Sequence, residues 1–177
     1  SSCFLGAGYS ADDASMVQEA FRLADEIQAS TQSLRSQILI TTLSESILSS
    51  IAEYCENNKK PATFLKRRGD FNRVKSAEKS GHIVVGHADF VGGLEFNGVV
   101  IVGVDKGRVP SASDTVDSNS RNYASYAAHN RLYVASTRAR FALVLTGVAS
   151  RGPSELLRNA SIRGLITGIG SVASVTK

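Results

Sequence analysis

Gly98-Val99-Val100-Ile101-Val102-Gly103-Val104 holds no charge, hydroxyl or amide side chain. A strand so uniformly apolar is buried on both faces, which is the environment of a parallel sheet covered by helices on each side. Val99–Val104 therefore reads as a central strand. Working outward, Ile38-Leu39-Ile40 closed by Thr41-Thr42 reads as a second buried strand, Ala62–Leu65 after Pro61 as a third, His82–Gly86 as a fourth and Phe141–Thr146 as a fifth. Between them the apolar residues change period. Val17, Ala20, Phe21, Ala24 and Ile27 recur at helical spacing within residues 11–29, behind Asp12 and Asp13, which suit a helix N-terminus. Ser44 precedes a helix carrying Ile47, Leu48, Ile51, Ala52 and Cys55, which ends at Asn57-Asn58. Tyr123–Thr137 reads as a helix, and Pro153 opens a last one. Residues 69–81 are polar with glycine at both ends and read as a connection. Residues 105–120 read as a loop, and the Gly/Ser/Val-rich residues 168–177 as a frayed tail. Strands separated by helices imply crossover units and an α/β fold with a mostly parallel sheet.

At 177 residues the chain is long enough for one domain with a real core, and residues 1–177 read as a single domain in which 105–120 is the only candidate linker. Hydrophobic residues are 42% and charged residues 20%, which sets aside disordered, collagen-like and disulfide-scaffold classes. No apolar run approaches the ~20 residues that cross a bilayer. Cys3 and Cys55 lack metal-ligand spacing, so a reduced, intracellular (cytoplasmic) protein is expected, with no membrane and no metal site.

Charge is unevenly spread. Residues 1–58 carry a balance of −6, residues 59–79 a balance of +6 and residues 80–177 a balance of +4. The basic stretch contains Lys59, Lys60, Lys66, Arg67, Arg68, Arg73, Lys75 and Lys79. It reads either as a solvated face or as a patch that holds phosphates. If Lys66, Arg67 and Arg68 touch nucleic acid, neutralising them flattens the salt dependence of binding.

Several chemistries lack their residues. No G-x-x-x-x-G-K-[ST] phosphate loop and no G-x-S-x-G elbow is present. Gly6-Ala7-Gly8 begins like a dinucleotide fingerprint but has neither a strand of useful length before it nor the third glycine. His82, His87 and His129 are not spaced as metal ligands on one helix face.

Two segments carry more. Gly92-Gly93-Leu94-Glu95-Phe96 precedes the apolar strand, and Arg131-Leu132-Tyr133-Val134-Ala135-Ser136-Thr137-Arg138-Ala139-Arg140 precedes the strand at Phe141. Together they resemble the fifth and sixth motifs of superfamily 1 helicases of the UvrD/Rep/PcrA type, which read K-G-L-E-F and Y-V-A-x-T-R-A-R. The Asp105–Pro110 turn between them also fits. The resemblance covers residues 82–147 by motif and the rest by element order. It implies a RecA-like three-layer α/β/α sandwich, the C-terminal motor domain of such an enzyme; where larger relatives insert a helical subdomain before the fifth motif only residues 69–81 stand here, so none is expected. The implied function is an ATP-dependent DNA helicase in which this domain couples hydrolysis to movement along single-stranded DNA.

The resemblance also assigns roles. Arg138 is the expected arginine finger, reaching ATP held by a separate N-terminal RecA-like P-loop domain, in the same protein or on a partner chain. A guanidinium there stabilises the charge of the transferring phosphoryl group. Gly93 and Glu95 are expected nucleotide contacts, Glu95 accepting from a ribose hydroxyl. Thr137 is placed to orient Arg138 by a hydroxyl bond, whereas Tyr133 and Val134 are expected to pack. ATP and Mg²⁺ are expected only in the company of the P-loop domain, and the chain alone is expected to hydrolyse nothing. The departures lie in the half of the motif that meets DNA. His87 stands at the usual threonine, Asp89 at the usual histidine and Gly92 at the usual lysine. His87 remains a candidate nucleic-acid contact with Lys66, Arg67 and Arg68.

Other readings stay open on the residues alone. Arg138 can be a surface arginine paired with a carboxylate, and Glu95 a cap or salt-bridge residue. The whole can be a non-catalytic nucleotide- or nucleic-acid-binding regulatory module on a RecA-like scaffold, or a doubly wound domain with a small-molecule site at the C-terminal strand ends.

Overall fold

A computed structural model describes residues 4–111, 118–158 and 163. Six strands form one sheet: β1 (Phe4–Ser10), β2 (Ile38–Thr42), β3 (Ala62–Phe64), β4 (Ile83–His87), β5 (Phe96–Val102) and β6 (Ala139–Val148). Their order across the sheet is β1-β6-β5-β2-β4-β3, and every adjacent pair is parallel. Four α-helices are described: α1 (Asp13–Thr31), α2 (Glu45–Asn57), α3 (Phe71–Ser80) and α4 (Ser118–Ser136).

The pleat sorts alternate residues of each buried strand onto opposite faces. Ile38, Ile40, Val100, Val102 and Val144 join Met16, Phe21, Ile27, Ile47 and Ile51 of α1 and α2 in one core. Leu39, Val84, Val99, Ile101 and Leu143 join Ala77 of α3 and Leu132 and Ala135 of α4 in the other. This is the three-layer RecA-like α/β/α sandwich, and it explains the unbroken apolar run in β5. At Gly98 a Cβ would come within 2.2 Å of Ile27 Cγ2. The missing side chain thus lets α1 lie directly on the sheet.

Several expectations are corrected. Residues 69–81 are not a plain connection but contain α3, whose core-facing side is only Val74 and Ala77 and whose end is set by Gly81 at φ 66°. Gly6-Ala7-Gly8 lies inside β1, so it is not a turn between strand and helix and cannot cradle a pyrophosphate in the dinucleotide manner. Strands β5 and β6 both begin earlier than expected, at Phe96 and Ala139. Helix α4 starts at Ser118, shortening the loop after β5. After Pro153 the chain forms a 3-10 turn at Glu155–Leu157. The continuation of that last helix and the frayed tail at 168–177 lie outside the described residues.

Candidate nucleotide-facing turn and basic edge

Arg138 directly precedes β6 and Glu95 directly precedes β5, and these strands are parallel neighbours. Both residues therefore stand at the N-terminal edge of the sheet. The Arg138 carbonyl accepts from the Phe96 N–H at 2.9 Å, which ties the starts of the two strands together.

The Arg138 guanidinium is held by neutral acceptors. Its Nε donates to the Val134 carbonyl (3.1 Å), Nη1 to the Leu94 carbonyl (3.2 Å) and Nη2 to Thr137 Oγ1 (3.2 Å). Thr137 Oγ1 in turn donates to the Val134 carbonyl at 3.0 Å. Among the described residues Arg138 has no carboxylate partner, so its charge is not neutralised within them. The ion pair of the alternative reading is not found among the described residues.

The turn beneath it is built by glycine. The Leu94 N–H donates to the Val91 carbonyl at 3.1 Å, and Gly93 has φ 82°. That is the third position of a turn needing a left-handed residue. A Cβ at Gly93 would meet nothing within 4 Å, so the glycine is required by backbone angle and not by space. Leu94 and Phe96 point into the core, while Glu95 is exposed, with no hydrogen bond or ion pair among the described residues. Arg138, Gly93 and Glu95 are thus brought to one place.

The nucleic-acid candidates stand elsewhere. His87 ends β4, and Lys66, Arg67 and Arg68 follow β3, so all four lie toward the C-terminal edge of their strands. His87 is buried (6% exposed). Its Nδ1 accepts from the Asp89 N–H at 3.2 Å, its Nε2 lies 3.9 Å from Glu45 Oε1, and its ring meets Phe90 edge-on. Lys66, Arg67 and Arg68 are exposed. Arg67 is 3.7 Å from the buried carboxylate of Asp70. Arg68 lies across the backbone of Gly92, where a Cβ would come within 2.9 Å of its Nε. The basic loop therefore touches the segment that leads to the turn holding Gly93 and Glu95, although 24 positions separate Arg68 from Gly92 in the chain.

Two features carry no local sequence signal. Asp89 pairs with Arg131 of α4 at 2.8 Å, joining the two motif segments. The acid that stands where the helicase motif has histidine is thus compensated by a cation. Tyr133, expected to pack, is 64% exposed on α4, whereas Val134 packs against the core.

Two cavities of about 530 Å³ each open at the other edge, around the ends of β2 and β5. They share Leu43, Arg108 and Ser111. This is where a small-molecule site at the C-terminal strand ends would lie, remote from the starts of β5 and β6. The principal cation there is already paired: Arg108 contacts Asp13 at 2.7 Å and the fully buried Asp105 at 3.3 Å. Burial pushes the Asp105 carboxyl up from its ordinary range despite the Val148 N–H, Arg108 and Arg151, which pull the other way. The geometry favours a structural knot tying the β5 and β6 ends over a ligand site. Among the described residues no group of three or more His, Cys, Asp or Glu is placed to hold a metal ion. No helix among them is long and apolar enough to cross a membrane.

No protein-family model matches the chain, and no curated protein matches it. Solved structures do. The C-terminal domain of a possible DNA helicase from Lactobacillus plantarum WCFS1 superposes with a TM-score of 0.65 at 15% identity, over 93% of this chain and 84% of that one. The C-terminal part of the Fun30 ATPase domain gives 0.46 at 13% identity, over 90% of this chain and 47% of that one. S. tokodaii Xpd4 gives 0.44 at 14% identity, over 73% and 28%. The first establishes a shared fold over nearly the whole of both chains.

Proposed function

We propose that this chain is the second, C-terminal RecA-like motor domain of an ATP-dependent DNA helicase of the UvrD-like type. The observation that carries the reading is the Arg138 guanidinium, without a carboxylate partner among the described residues and bonded to the turn that presents Glu95. A cation held by neutral carbonyls at the rigid start of a strand suits developing phosphoryl charge on ATP across a cleft. Glu95, exposed and without a partner among the described residues, is suited to a ribose hydroxyl, and Gly93 sets the turn that presents it.

The opposite wall of that cleft belongs to an N-terminal RecA-like P-loop domain, in the same protein or on a partner chain. That domain holds the triphosphate and the Mg²⁺ that neutralises it. Lys66, Arg67 and Arg68 contribute to a single-stranded DNA path along the loop after β3, which reaches, at Gly92, the segment leading to the turn that presents Glu95. His87 shapes the β4 end beside that path, since its ring is buried. The cellular setting of such an enzyme is intracellular.

The test is reconstitution. The chain alone is expected to hydrolyse no ATP, and the longer protein or complex containing a P-loop domain is expected to show DNA-stimulated turnover. Robust DNA-stimulated hydrolysis by the isolated chain overturns the reading. So does a longer protein that has no P-loop domain and recruits none.

A further inference from the structure

The basic loop carries an aromatic residue that the motifs do not account for. Phe71, the first residue of α3, is 58% exposed. A single exposed apolar side chain is ordinary. This one differs in how firmly it is presented and in what surrounds it. The Phe71 N–H donates to the Gly69 carbonyl at 2.8 Å, and the Gly69 N–H donates to the Phe90 carbonyl at 3.0 Å. Gly69, at φ 62°, has no side chain to cover the ring, whose Cε2 lies 3.7 Å from where a Cβ would stand. The buried Asp70 accepts from the Lys66 N–H at 3.2 Å and closes the loop from below. Leu65 leans on Gly86, where a Cβ would come within 2.9 Å of it, and anchors the start of the loop to β4.

The charges on the loop that leads to Phe71 and on the first turn of α3 divide into two sets. Arg67 and Arg73 lie 3.7 and 3.9 Å from Asp70, so part of their charge is answered. The Lys66 and Arg68 side chains have no ion pair or hydrogen bond among the described residues. An exposed ring on a backbone tied down at Gly69, with the unpaired cations Lys66 and Arg68 five and three positions before it in a stretch of balance +6, is complementary to a polyanion that also offers flat π-faces.

We propose that Phe71 is a base-stacking platform for single-stranded nucleic acid, with Lys66 and Arg68 holding the adjacent phosphates. The site prefers single strands because a duplex hides its base faces in its own stack. The proposal rests on the nucleic-acid half of the function above and is independent of Arg138.

The test uses the purified chain and a fluorescently labelled oligothymidylate, read by anisotropy across a salt series. Phe71→Ala is expected to weaken binding between about fivefold and a hundredfold, the range for loss of one base–aromatic stack. It leaves the salt slope unchanged. Phe71→Trp is expected to restore binding, with indole fluorescence quenched on adding the oligomer. Lys66→Ala and Arg68→Ala are each expected to reduce the salt slope by about 0.7, the value for one phosphate contact on a single strand. Circular dichroism matching the parent confirms that the variants are folded. No binding of the oligothymidylate overturns the proposal, as does wild-type affinity in Phe71→Ala or an unquenched Phe71→Trp. Equal affinity for a duplex, or competition by polyglutamate that Phe71→Ala does not alter, also overturns it. Loss of turnover in Arg138→Ala tests the other half separately, because that residue is bonded to the turn before β5 and is no part of the basic loop.

Discussion

Arg138 Nη1 donates to the Leu94 carbonyl at 3.2 Å and so joins the start of β6 to the turn before β5. All three of its side-chain bonds end on neutral oxygens. An arriving phosphate offers a charged acceptor in place of a carbonyl, and charge-assisted bonds are about twice as strong as neutral ones.

In a protein that also carries the P-loop domain, Arg138→Ala is expected to lower the ATP turnover number by roughly 10³- to 10⁵-fold, the range for arginine fingers. Nucleotide affinity changes only severalfold. Arg138→Lys does not rescue turnover, because an ammonium cannot reproduce the planar fork held by Val134, Leu94 and Thr137. Steady-state kinetics with a parallel nucleotide-binding titration decide it, and normal turnover in either variant removes Arg138 from the chemistry.

Gly93 and Gly86 are both small for different reasons, and alanine separates them. At Gly93 the cost is conformational alone, about 1 kcal/mol for a left-handed residue in open space. At Gly86 a Cβ meets Leu65 Cβ at 3.0 Å and Cδ1 at 2.9 Å, so Leu65 and the β3 end must give way. Overpacking of that kind costs roughly 1–3 kcal/mol. Urea denaturation of the two variants measures both. A Gly86→Ala protein as stable as its parent would mean that Leu65 has room to move.

Cys55 is buried on α2, and burial pushes its thiol up to about 11. Unfolding returns it to about 9. Between these values the folded protein keeps a proton that the unfolded chain has lost, so stability falls as pH rises through that window. Tyr9, raised to about 12 by burial and then by Asp105, extends the fall from about 10 upward. Urea midpoints measured from pH 8 to 11 are expected to decline, and Cys55→Ala to flatten the lower part. In a Cys3→Ser background, Ellman's reagent at pH 8 is expected to label Cys55 only as fast as the protein opens. Rapid stoichiometric labelling of the folded protein would contradict the burial.

Asp89 and Arg131 are each about half exposed, with side chains at 44% and 48%, so their pairing is screened by water. A double-mutant cycle of Asp89→Ala and Arg131→Ala is expected to give a coupling of about 0.2–1 kcal/mol. A value near zero would show that the two segments are aligned by core packing alone.

The legible parts of the fold are those with a strong period. The β5 run and the Val17–Ile27 stripe of α1 each declare their environment, because both faces or one face are uniformly apolar. Helix α3 is obscured because only Val74 and Ala77 face the core, while Phe71 is exposed and the other residues are polar or charged. Strand β1 is obscured by Gly6, Ala7 and Gly8, which suggest a turn when read locally. Parallel pairing with Ala142–Val148 of β6 over its whole length is what makes that segment a strand. At the site, the Thr137–Arg138 hydroxyl bond follows from adjacency in the chain. The Leu94–Arg138 and Asp89–Arg131 contacts join residues more than 40 positions apart, and no local pattern encodes them.

The contact of Arg68 with Gly92 makes one position a selective handle. Bulk added at 92 must evict the guanidinium, yet arginine is long and can swing into solvent, so thermal stability hardly changes. What is lost is the address of a single charge. Descendants that enlarge residue 92 are therefore expected to alter residue 68 in the same lineage, leaving a covariation between two sites that no secondary-structure element shares.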